Sequence, residues 1–201
     1  MGKFIVIEGL DGSGKSTQID LLAKALKDRG EAVYATAEPS EGYIGRYLRA
    51  ILSESVETDM HFQAALFLAD RIDHVTNKND GIKKYLDKGY TVICDRYYYS
   101  SFAYQGTATD MDWVMDMNLG CDKIIKPDVC IFLDVDPATC KGRIDATREK
   151  AELYERDVEL MAKVRENFIS ALGRLKNDEN IYIVDANRDV DEVAKEIMRY
   201  V

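Results

Sequence analysis

A glycine-rich segment directly after an apolar run constrains this chain more than any other feature. Residues Gly9–Ser16 have the sequence G-L-D-G-S-G-K-S and fit the pattern G-x-x-x-x-G-K-[ST] in full. The apolar run Lys3–Glu8 predicts a buried strand before it, and Ile19, Leu22 and Leu26 are spaced for one face of a helix after it. Glycines expose backbone N–H groups, and a helix N-terminus adds partial positive charge. Strand, loop and helix together predict a cradle for a polyphosphate.

The side chains of this loop predict a nucleoside triphosphate as the ligand, namely ATP with Mg²⁺. Lys15 would bring a positive charge to the β- and γ-phosphates, and the Ser16 hydroxyl suits Mg²⁺. Asp95, at the end of a later apolar run, would orient the metal or its water shell. Switches, motors and kinases share such a loop, so it does not by itself define an enzyme. The predicted nucleotide-binding positions are Gly9, Leu10, Asp11, Gly12, Ser13, Gly14, Lys15, Ser16 and Thr17.

Apolar runs and helical patterns alternate along the whole chain. The runs are short and nearly continuous in apolar residues, which is typical of strands buried on both faces of a parallel sheet. They lie at Lys3–Glu8, Ala32–Thr36, Thr91–Asp95, Val129–Val135 and Ile181–Val184. This alternation predicts a single domain over residues 1–201 of class α/β, with a five-stranded parallel sheet and helices on both faces. Together with the phosphate loop, it predicts a three-layer P-loop NTPase fold. Ligands in such folds bind where the strands end.

Helical spacing of apolar residues predicts four helices between and after these strands. The first carries Ile19, Leu22 and Leu26 and has Gly30 as its C-cap candidate. The remaining stripes are Ala65, Leu68, Ile72 and Val75; Val158, Met161, Val164, Phe168, Leu172 and Leu175; and Val190, Val193, Ile197 and Val201.

Composition limits which partners the chain can bind and in which compartment it is expected. The formal net charge of −9 argues against a nucleic-acid polymer, which requires a basic stripe. The cysteines at 94, 121, 130 and 140 have no CxxC spacing, and with only two histidines they predict reduced thiols in a cytoplasmic protein rather than a metal cage. No signal-peptide h-region follows the start, and no apolar run approaches the ~18 residues of a membrane span.

A highly charged segment at about 143–156 has two interpretations. It lacks an apolar stripe until Val158. One interpretation is an exposed, solvated helix end, and the other is a short mobile lid over the phosphate loop. The sequence leaves both open.

The segment after the third strand favours a small phosphoryl-transfer kinase. A GTP-dependent switch would need an N-K-x-D segment, and the chain's only Asn-Lys pair, at Asn77-Lys78, continues as Asn79-Asp80 instead. A motor is usually larger and carries a strand ending in two acids. Here the strand ends in Asp95-Arg96, a metal-orienting acid followed by a guanidinium for phosphate.

The stretch Asp95–Gly106, D-R-Y-Y-Y-S-S-F-A-Y-Q-G, together with the phosphate loop, closely resembles the thymidylate kinase family. The resemblance extends to Glu38-Pro39, Leu66–Arg71, Pro127-Asp128 and the charged lid. It implies an enzyme that transfers the γ-phosphate of ATP to dTMP, giving dTDP for dTTP biosynthesis. It also implies a homodimer formed through helices near 44–52 and 60–76.

The same resemblance implies a thymine site. Phe67 matches the aromatic residue that stacks on the base, and Arg71 matches the arginine that hydrogen-bonds the base edge. They are four residues apart, so they share a helix face. The alternative for Phe67 is ordinary core packing. Phe67 lies off the Ala65, Leu68, Ile72 and Val75 stripe, and Arg71 would be costly in a dry core, so we expect the site.

The sugar and phosphate contacts implied by the resemblance follow the D-R-Y motif. Arg96 matches the arginine that grips the acceptor phosphate, with a structural salt bridge as the alternative, and Tyr104 the tyrosine that packs against the 2′-carbon. Asp11 would reach the 3′-hydroxyl and help place Mg²⁺, although a turn-stabilising Asp is as consistent with the local sequence. Ser101 stands where some relatives carry a base-reading asparagine. The predicted substrate-binding residues are Asp11, Glu38, Phe67, Arg71, Arg96, Ser100, Ser101, Tyr104 and Gln105.

Two departures from the family pattern shift the expected roles of basic residues. Ala37 stands where many relatives have an arginine, and we expect Arg46 or Arg49 to substitute. The phosphate loop contains no arginine, so the catalytic arginine is expected in the lid, at Arg148 first, with Lys150 and Arg143 next. The predicted catalytic residues are thus Lys15, Arg96, Arg148 and Asp11.

Two rival functions remain from the sequence. One is a kinase for another nucleoside monophosphate, and the other is a catalytically silent P-loop binding module. The intact Lys15, Ser16, Asp95 and Arg96 argue against the silent module.

Overall fold

The computed structural model describes residues 2–147, 154 and 157–201. In these residues five strands form one all-parallel sheet in the order β2-β3-β1-β4-β5. The strands are β1 (Phe4–Gly9), β2 (Val33–Ala37), β3 (Thr91–Asp95), β4 (Val129–Asp134) and β5 (Ile181–Asp185). The predicted strand positions are therefore correct to within one residue at each end.

Helices connect the strands and cover the sheet. Within the described ranges they are α1 (Lys15–Asp28), α2 (Tyr43–Leu52), α3 (Met60–Thr76), α4 (Ile82–Asp87), α5 (Tyr98–Tyr104), α6 (Met111–Leu119), α7 (Pro137–Thr147), α8 (Val158–Leu175) and α9 (Val190–Ile197), with a 3₁₀ turn at Gln105–Thr107. The parallel strands with intervening helices confirm the predicted α/β P-loop NTPase class. The predicted lid at about 143–156 lies largely outside the described residues.

Burial differs between the central and the edge strands. All residues of β1 are buried, and so are the residues of β3 and β4 before their last position. The edge strands β2 and β5 are only partly buried, with Ile183 half exposed. The expectation that all five strands are buried on both faces is thus wrong for β2 and β5, because an edge strand lacks a neighbour on one side.

Two of the predicted helix stripes are nearly correct at the residue level. In α1, Ile19, Leu22 and Leu26 are buried. In α8 the predicted stripe is buried except for the exposed Val158.

The predicted helix ends differ slightly. The C-cap of α1 is Arg29, and Gly30 follows it with φ +86° and an N–H that donates to the Lys27 carbonyl. The helix α9 buries Val193 and Ile197, whereas Val190 is exposed and Val201 lies beyond the helix end.

The predicted apolar stripe of α3 is wrong. Ala65 is exposed, Leu68 and Ile72 are half-buried, and only Val75 of that set is fully buried. The buried face instead consists of Gln63, Ala64, Asp70, Arg71, His74 and Val75. The error arises because Asp70, Arg71 and His74 are buried against hydrogen-bond partners on another segment, so that apolarity does not indicate the inner face of this helix.

Candidate active site

The glycine-rich loop closes over the carboxyl end of β1 as predicted. It joins that strand to α1, which begins at Lys15 with Gly14 as its N-cap. Gly12 has φ +78°, and a Cβ there would lie 2.5 Å from the Cys140 carbonyl oxygen, so the loop packs directly against α7. Ser16 and Thr17 are exposed in the first turn of α1. The unpaired N–H groups of that turn and the helix dipole suit an anion.

Lys15 is buried at the base of this loop. Its Nζ donates to the carbonyl oxygens of Gly9, at 3.2 Å, and Leu10, at 2.9 Å. Burial, followed by the charge of Arg96, lowers the pKa of the Lys15 ammonium, while neighbouring acids raise it. The ammonium therefore lies inside the loop where phosphate oxygens would be bound.

Asp95 and Ser16 line one cleft beside the loop. Asp95 ends β3, and its Oδ1 is buried with no hydrogen-bond partner in the described structure. Oxygen donors of this type suit Mg²⁺, which binds through one or two protein oxygens together with phosphates and water. Among the described residues, no three His, Cys, Asp or Glu side chains form a metal-binding cluster.

Arg96 connects the phosphate loop to α5. Its Nη2 donates to Asp11 Oδ1 at 2.6 Å and to the Tyr104 hydroxyl at 3.2 Å, and its Nη1 donates to Ser100 Oγ at 3.0 Å. The guanidinium also lies over the Tyr104 ring, 4.9 Å from its centroid. Four predicted site residues from three segments are therefore in direct contact.

The opposite charges of Asp11 and Arg96 stabilise the ionised form of each side chain. Burial opposes ionisation of Asp11, but the positive charges of Arg96 and Lys15 outweigh it and hold the pKa of the carboxyl well below its usual range. The Asp11 carboxylate in turn offsets the burial of Arg96 and raises the pKa of that guanidinium. Burial raises the pKa of Tyr104, whose hydroxyl donates to Asp11 Oδ2 at 3.1 Å.

A pocket beside this group brings the remaining predicted substrate residues together. Its lining contains Asp11, Glu38, Phe67, Arg71, Arg96, Ser100, Ser101, Tyr104 and Gln105, which is the whole predicted substrate set. Phe67 and Arg71 lie one turn apart on α3, as expected from their spacing. The pocket thus combines an aromatic face, polar groups and a guanidinium next to the phosphate loop.

Arg71 is buried, although an arginine is expected to be costly in a dry environment. Its side chain is only 1% exposed. Glu38 Oε2 compensates the charge, at 2.8 Å from Nε and 2.7 Å from Nη2. Ser101 Oγ accepts from Nη2 at 3.1 Å, and Asn118 Oδ1 accepts from Nη1 at 2.5 Å. A paired and hydrogen-bonded guanidinium can be buried without the penalty of an isolated charge.

The two candidates for the missing arginine at Ala37 have different positions. Arg49 lines the pocket and donates to the carbonyls of Pro39 and Ser40. Arg46 is exposed and lies over the Tyr43 ring. The structure therefore places Arg49, and not Arg46, at the pocket.

Of the three predicted lid cations, Arg143 lies within the described residues. Its Nη1 donates to the Gly12 carbonyl at 3.3 Å, so the end of α7 reaches the phosphate loop. Arg148 and Lys150 lie outside the described residues.

Sequence reasoning missed several residues at this site, among them Glu8, Tyr154 and Asn118. Glu8 is fully buried and accepts hydrogen bonds from Tyr97 N at 2.7 Å and Ser100 Oγ at 2.6 Å. Tyr154 lines the pocket and its ring meets that of Tyr104 edge-on at 5.0 Å. Asn118 is on α6, a helix that apolar spacing does not predict. The one available signal was a polar residue inside an otherwise apolar pattern, as for Glu8 in F-I-V-I-E-G.

A P-loop at the switch point of a parallel sheet, with an adjoining pocket that presents an aromatic ring and arginines, defines the class of small nucleotide-binding phosphotransferases. A family model described as thymidylate kinase matches residues 7–197. The chain belongs to the thymidylate kinase family.

Individual relatives match along nearly their full length. A protein named "Probable thymidylate kinase" from Pyrobaculum calidifontis is 41% identical over 196 residues, covering 97% of this chain and 93% of the relative. Proteins of the same name from Thermococcus gammatolerans and Staphylothermus marinus are 35% and 36% identical, covering 98% and 100% of this chain and 95% and 94% of the relatives.

Proposed function

We propose that this chain is a dTMP kinase that transfers the γ-phosphate of ATP to dTMP, giving dTDP and ADP, as a single cytoplasmic P-loop domain that works in a homodimer. The observation that carries the proposal is the pocket in which Phe67, Arg71, Tyr104 and Arg96 adjoin the phosphate loop. Membership of the thymidylate kinase family supports the reaction and the substrate class.

In the proposed complex, the base, the sugar and the phosphate of dTMP each contact a different part of the pocket. The thymine ring stacks on Phe67 and its edge meets Arg71. The sugar packs against Tyr104, where a ribose 2′-hydroxyl would lack space or a partner, and Asp11 accepts from the 3′-hydroxyl. Arg96 holds the 5′-phosphate, because its guanidinium adjoins both Tyr104 and the loop.

The proposed donor site is the glycine-rich loop. Loop N–H groups and Lys15 bind the phosphates of ATP, while Asp95 and the Ser16 hydroxyl would hold Mg²⁺. The metal would neutralise phosphate charge when bound.

Catalysis in this proposal consists of positioning and charge stabilisation. The acceptor phosphate is already ionised near neutral pH, because a phosphomonoester has a second pKa of about 6, so no general base is needed. Arg96 aligns that phosphate, and a lid cation, Arg148 first, stabilises the charge that develops during transfer. Closure of the lid would exclude water and so prevent ATP hydrolysis.

The proposed dimer rests on an apolar surface formed by α2 and α3, which we call the α2–α3 face and which comprises Tyr43, Tyr47, Phe62 and Ala65. Tyr43 is 87% exposed and Phe62 46%, and the rings of Tyr47 and Phe62 meet edge-on. Aromatic side chains exposed together in this way are typical of an interface.

The cytoplasmic location is supported by the thiols. All four cysteines are free, and Cys94, Cys130 and Cys140 are buried. Within the described part of the chain, no helix combines the length and apolar composition needed to cross a membrane.

The decisive experiment measures ADP formation from ATP and Mg²⁺ with dTMP, dUMP, UMP, dCMP or dGMP as the acceptor. We expect ADP formation that depends on dTMP and is fastest with it. A Lys15→Ala variant serves as the control for contaminating kinase. Faster turnover of another monophosphate would favour the rival kinase, and no acceptor-dependent ADP with any of them would favour the silent binding module.

A further inference from the structure

Asn118 is a buried amide with no role in the binding scheme above. It lies on α6 with no exposed surface. Its Nδ2 donates to the Val114 carbonyl at 2.8 Å, and its Oδ1 accepts from Arg71 Nη1 at 2.5 Å. Because the amide nitrogen is bound to a carbonyl of its own helix, the oxygen is the atom that faces Arg71. The helix thus presents a fixed acceptor to the guanidinium.

The hydrogen bonds and the ion pair of Arg71 leave one of its five N–H groups for a ligand. Nε donates to Glu38, while Nη2 donates to Ser101 and lies 2.7 Å from the same Glu38 oxygen in the ion pair. One hydrogen of Nη1 is used by Asn118. The second Nη1 hydrogen has no partner within the described residues, and the side chain lines the pocket beside Phe67.

That remaining donor distinguishes between pyrimidines. In dTMP the sugar is attached at N1, and C4 lies directly across the ring from N1. A base whose sugar packs on Tyr104 therefore directs its C4 edge away from Tyr104 and Arg96, toward the separate network of Arg71. Thymine carries an acceptor oxygen at C4, whereas cytosine carries a donor amino group there. An N–H of Arg71 pairs with the first and opposes the second.

We propose that Asn118 is a positioning residue for substrate choice: it holds the Arg71 guanidinium so that its last N–H meets the C4 carbonyl of the base. This inference rests on the proposed function, since it assumes dTMP in the pocket. The guanidinium is planar, so its N–H groups turn together. Without the amide oxygen, Glu38, Ser101 and the Tyr97 ring still hold the group, but its Nη1 end has no anchor and the last N–H is held less firmly toward the base. The pocket then keeps its shape and its aromatic face but loses its selection for a carbonyl at C4.

The test compares kcat/KM for dTMP, dCMP and dUMP in the unchanged enzyme and in Asn118→Leu and Asn118→Ala. Both variants remove the acceptor, and Ala guards against misfolding caused by a larger side chain. We expect the dTMP-to-dCMP ratio of kcat/KM to fall at least about fivefold in each folded variant. The dTMP-to-dUMP ratio stays within about twofold, because both bases carry the C4 carbonyl.

Val114→Ala is the matched control. The Val114 side chain is as buried as that of Asn118 and lies on the same helix, but it is apolar and cannot hydrogen-bond Arg71. The control variant should lower stability and leave both ratios unchanged. A dTMP-to-dCMP ratio that falls less than about fivefold in the acceptor-free variants, or an equal fall in both ratios, overturns the inference. Failure of the unchanged enzyme to use dTMP would instead reject the proposed function.

Discussion

Arg96 has a backbone conformation that its neighbours impose. Its φ of +67° is unusual for a residue with a side chain and costs about 1–3 kcal/mol. The amide of the next residue, Tyr97, donates to the buried Glu8 carboxylate, and Ser100 connects Glu8 to the guanidinium. The strained turn directs Arg96 back toward Asp11, so this cost accompanies the contact between the strand end and the phosphate loop.

At the residue scale, the pKa of Glu8 predicts how the stability of the protein changes with pH. Burial raises the pKa of Glu8 to about 7, against the opposing effects of its hydrogen bond from Ser100 and the charge of Arg96. Between the ordinary carboxyl pKa and that value, the folded protein holds the proton more tightly than the unfolded chain does. The contribution of Glu8 to stability is therefore complete at low pH and decreases as the pH rises toward 7.

Urea unfolding of the unchanged chain and of Glu8→Gln tests this prediction. From about pH 5 to about pH 7.5, the unchanged chain should lose about 2 kcal/mol in free energy of unfolding relative to the variant. Identical pH dependence in both proteins would contradict it. The variant's absolute stability does not matter, because only the change with pH is compared.

At the scale of elements, the phosphate loop depends on its contact with α7. The Cβ of an alanine at position 12 would lie 2.5 Å from the Cys140 carbonyl oxygen and 3.1 Å from Ile144 Cγ1. The two elements therefore pack without room for a side chain, and the end of α7 contains residues 143–147 of the predicted lid. We propose that the predicted lid acts on the loop through this helix.

Gly12→Ala tests this packing. Gly12 and Gly30 both have positive φ, at +78° and +86°, but a Cβ at Gly30 meets nothing within 4 Å. We expect Gly30→Ala to cost about 1 kcal/mol from backbone strain alone, and Gly12→Ala at least about 2 kcal/mol because the clash is added. Urea unfolding midpoints measure both, and equal losses would show that the contact with α7 is unimportant.

At the scale of the whole molecule, two surfaces of the helical layer differ in aromatic content. The α2–α3 face groups exposed aromatic rings, whereas on α8 the exposed Ile169 has no exposed aromatic residue on its own helix. The proposed substrate residues Phe67 and Arg71 lie on the same helix α3 as this face. Dimerisation would therefore support the helix that carries the side chains proposed to bind the base.

Phe62→Glu is predicted to convert a dimer into a monomer, because it buries a charge in an apolar interface. Sedimentation velocity measures the change. Ile169→Glu, with a similar exposure of 39% against 46%, is the control and should remain dimeric. A monomeric unchanged chain, or a Phe62→Glu variant that stays dimeric, would exclude this interface.

The sequence by itself determined the features that depend on local patterns. Apolar runs predicted the five strands to within a residue at each end, and the order of strand and helix defined the parallel sheet. Asp11 in the phosphate loop and the resemblance over Glu38-Pro39, Leu66–Arg71 and Asp95–Gly106 predicted nine residues that line the pocket, but not Tyr154. These predictions are possible because backbone periodicity and a phosphate-binding loop are encoded in neighbouring residues.

Only the tertiary structure decided which strands are edges, which face of α3 is buried, and how charged groups are compensated. Arg71 and Asn118 are 47 residues apart, and Glu8 and Ser100 are 92 apart. Apolar spacing cannot indicate a polar residue whose partner is distant in the chain, so the buried face of α3 was predicted wrongly and Asn118 was missed. Burial of a charge becomes favourable only when folding supplies its partners, and that information belongs to the three-dimensional contacts.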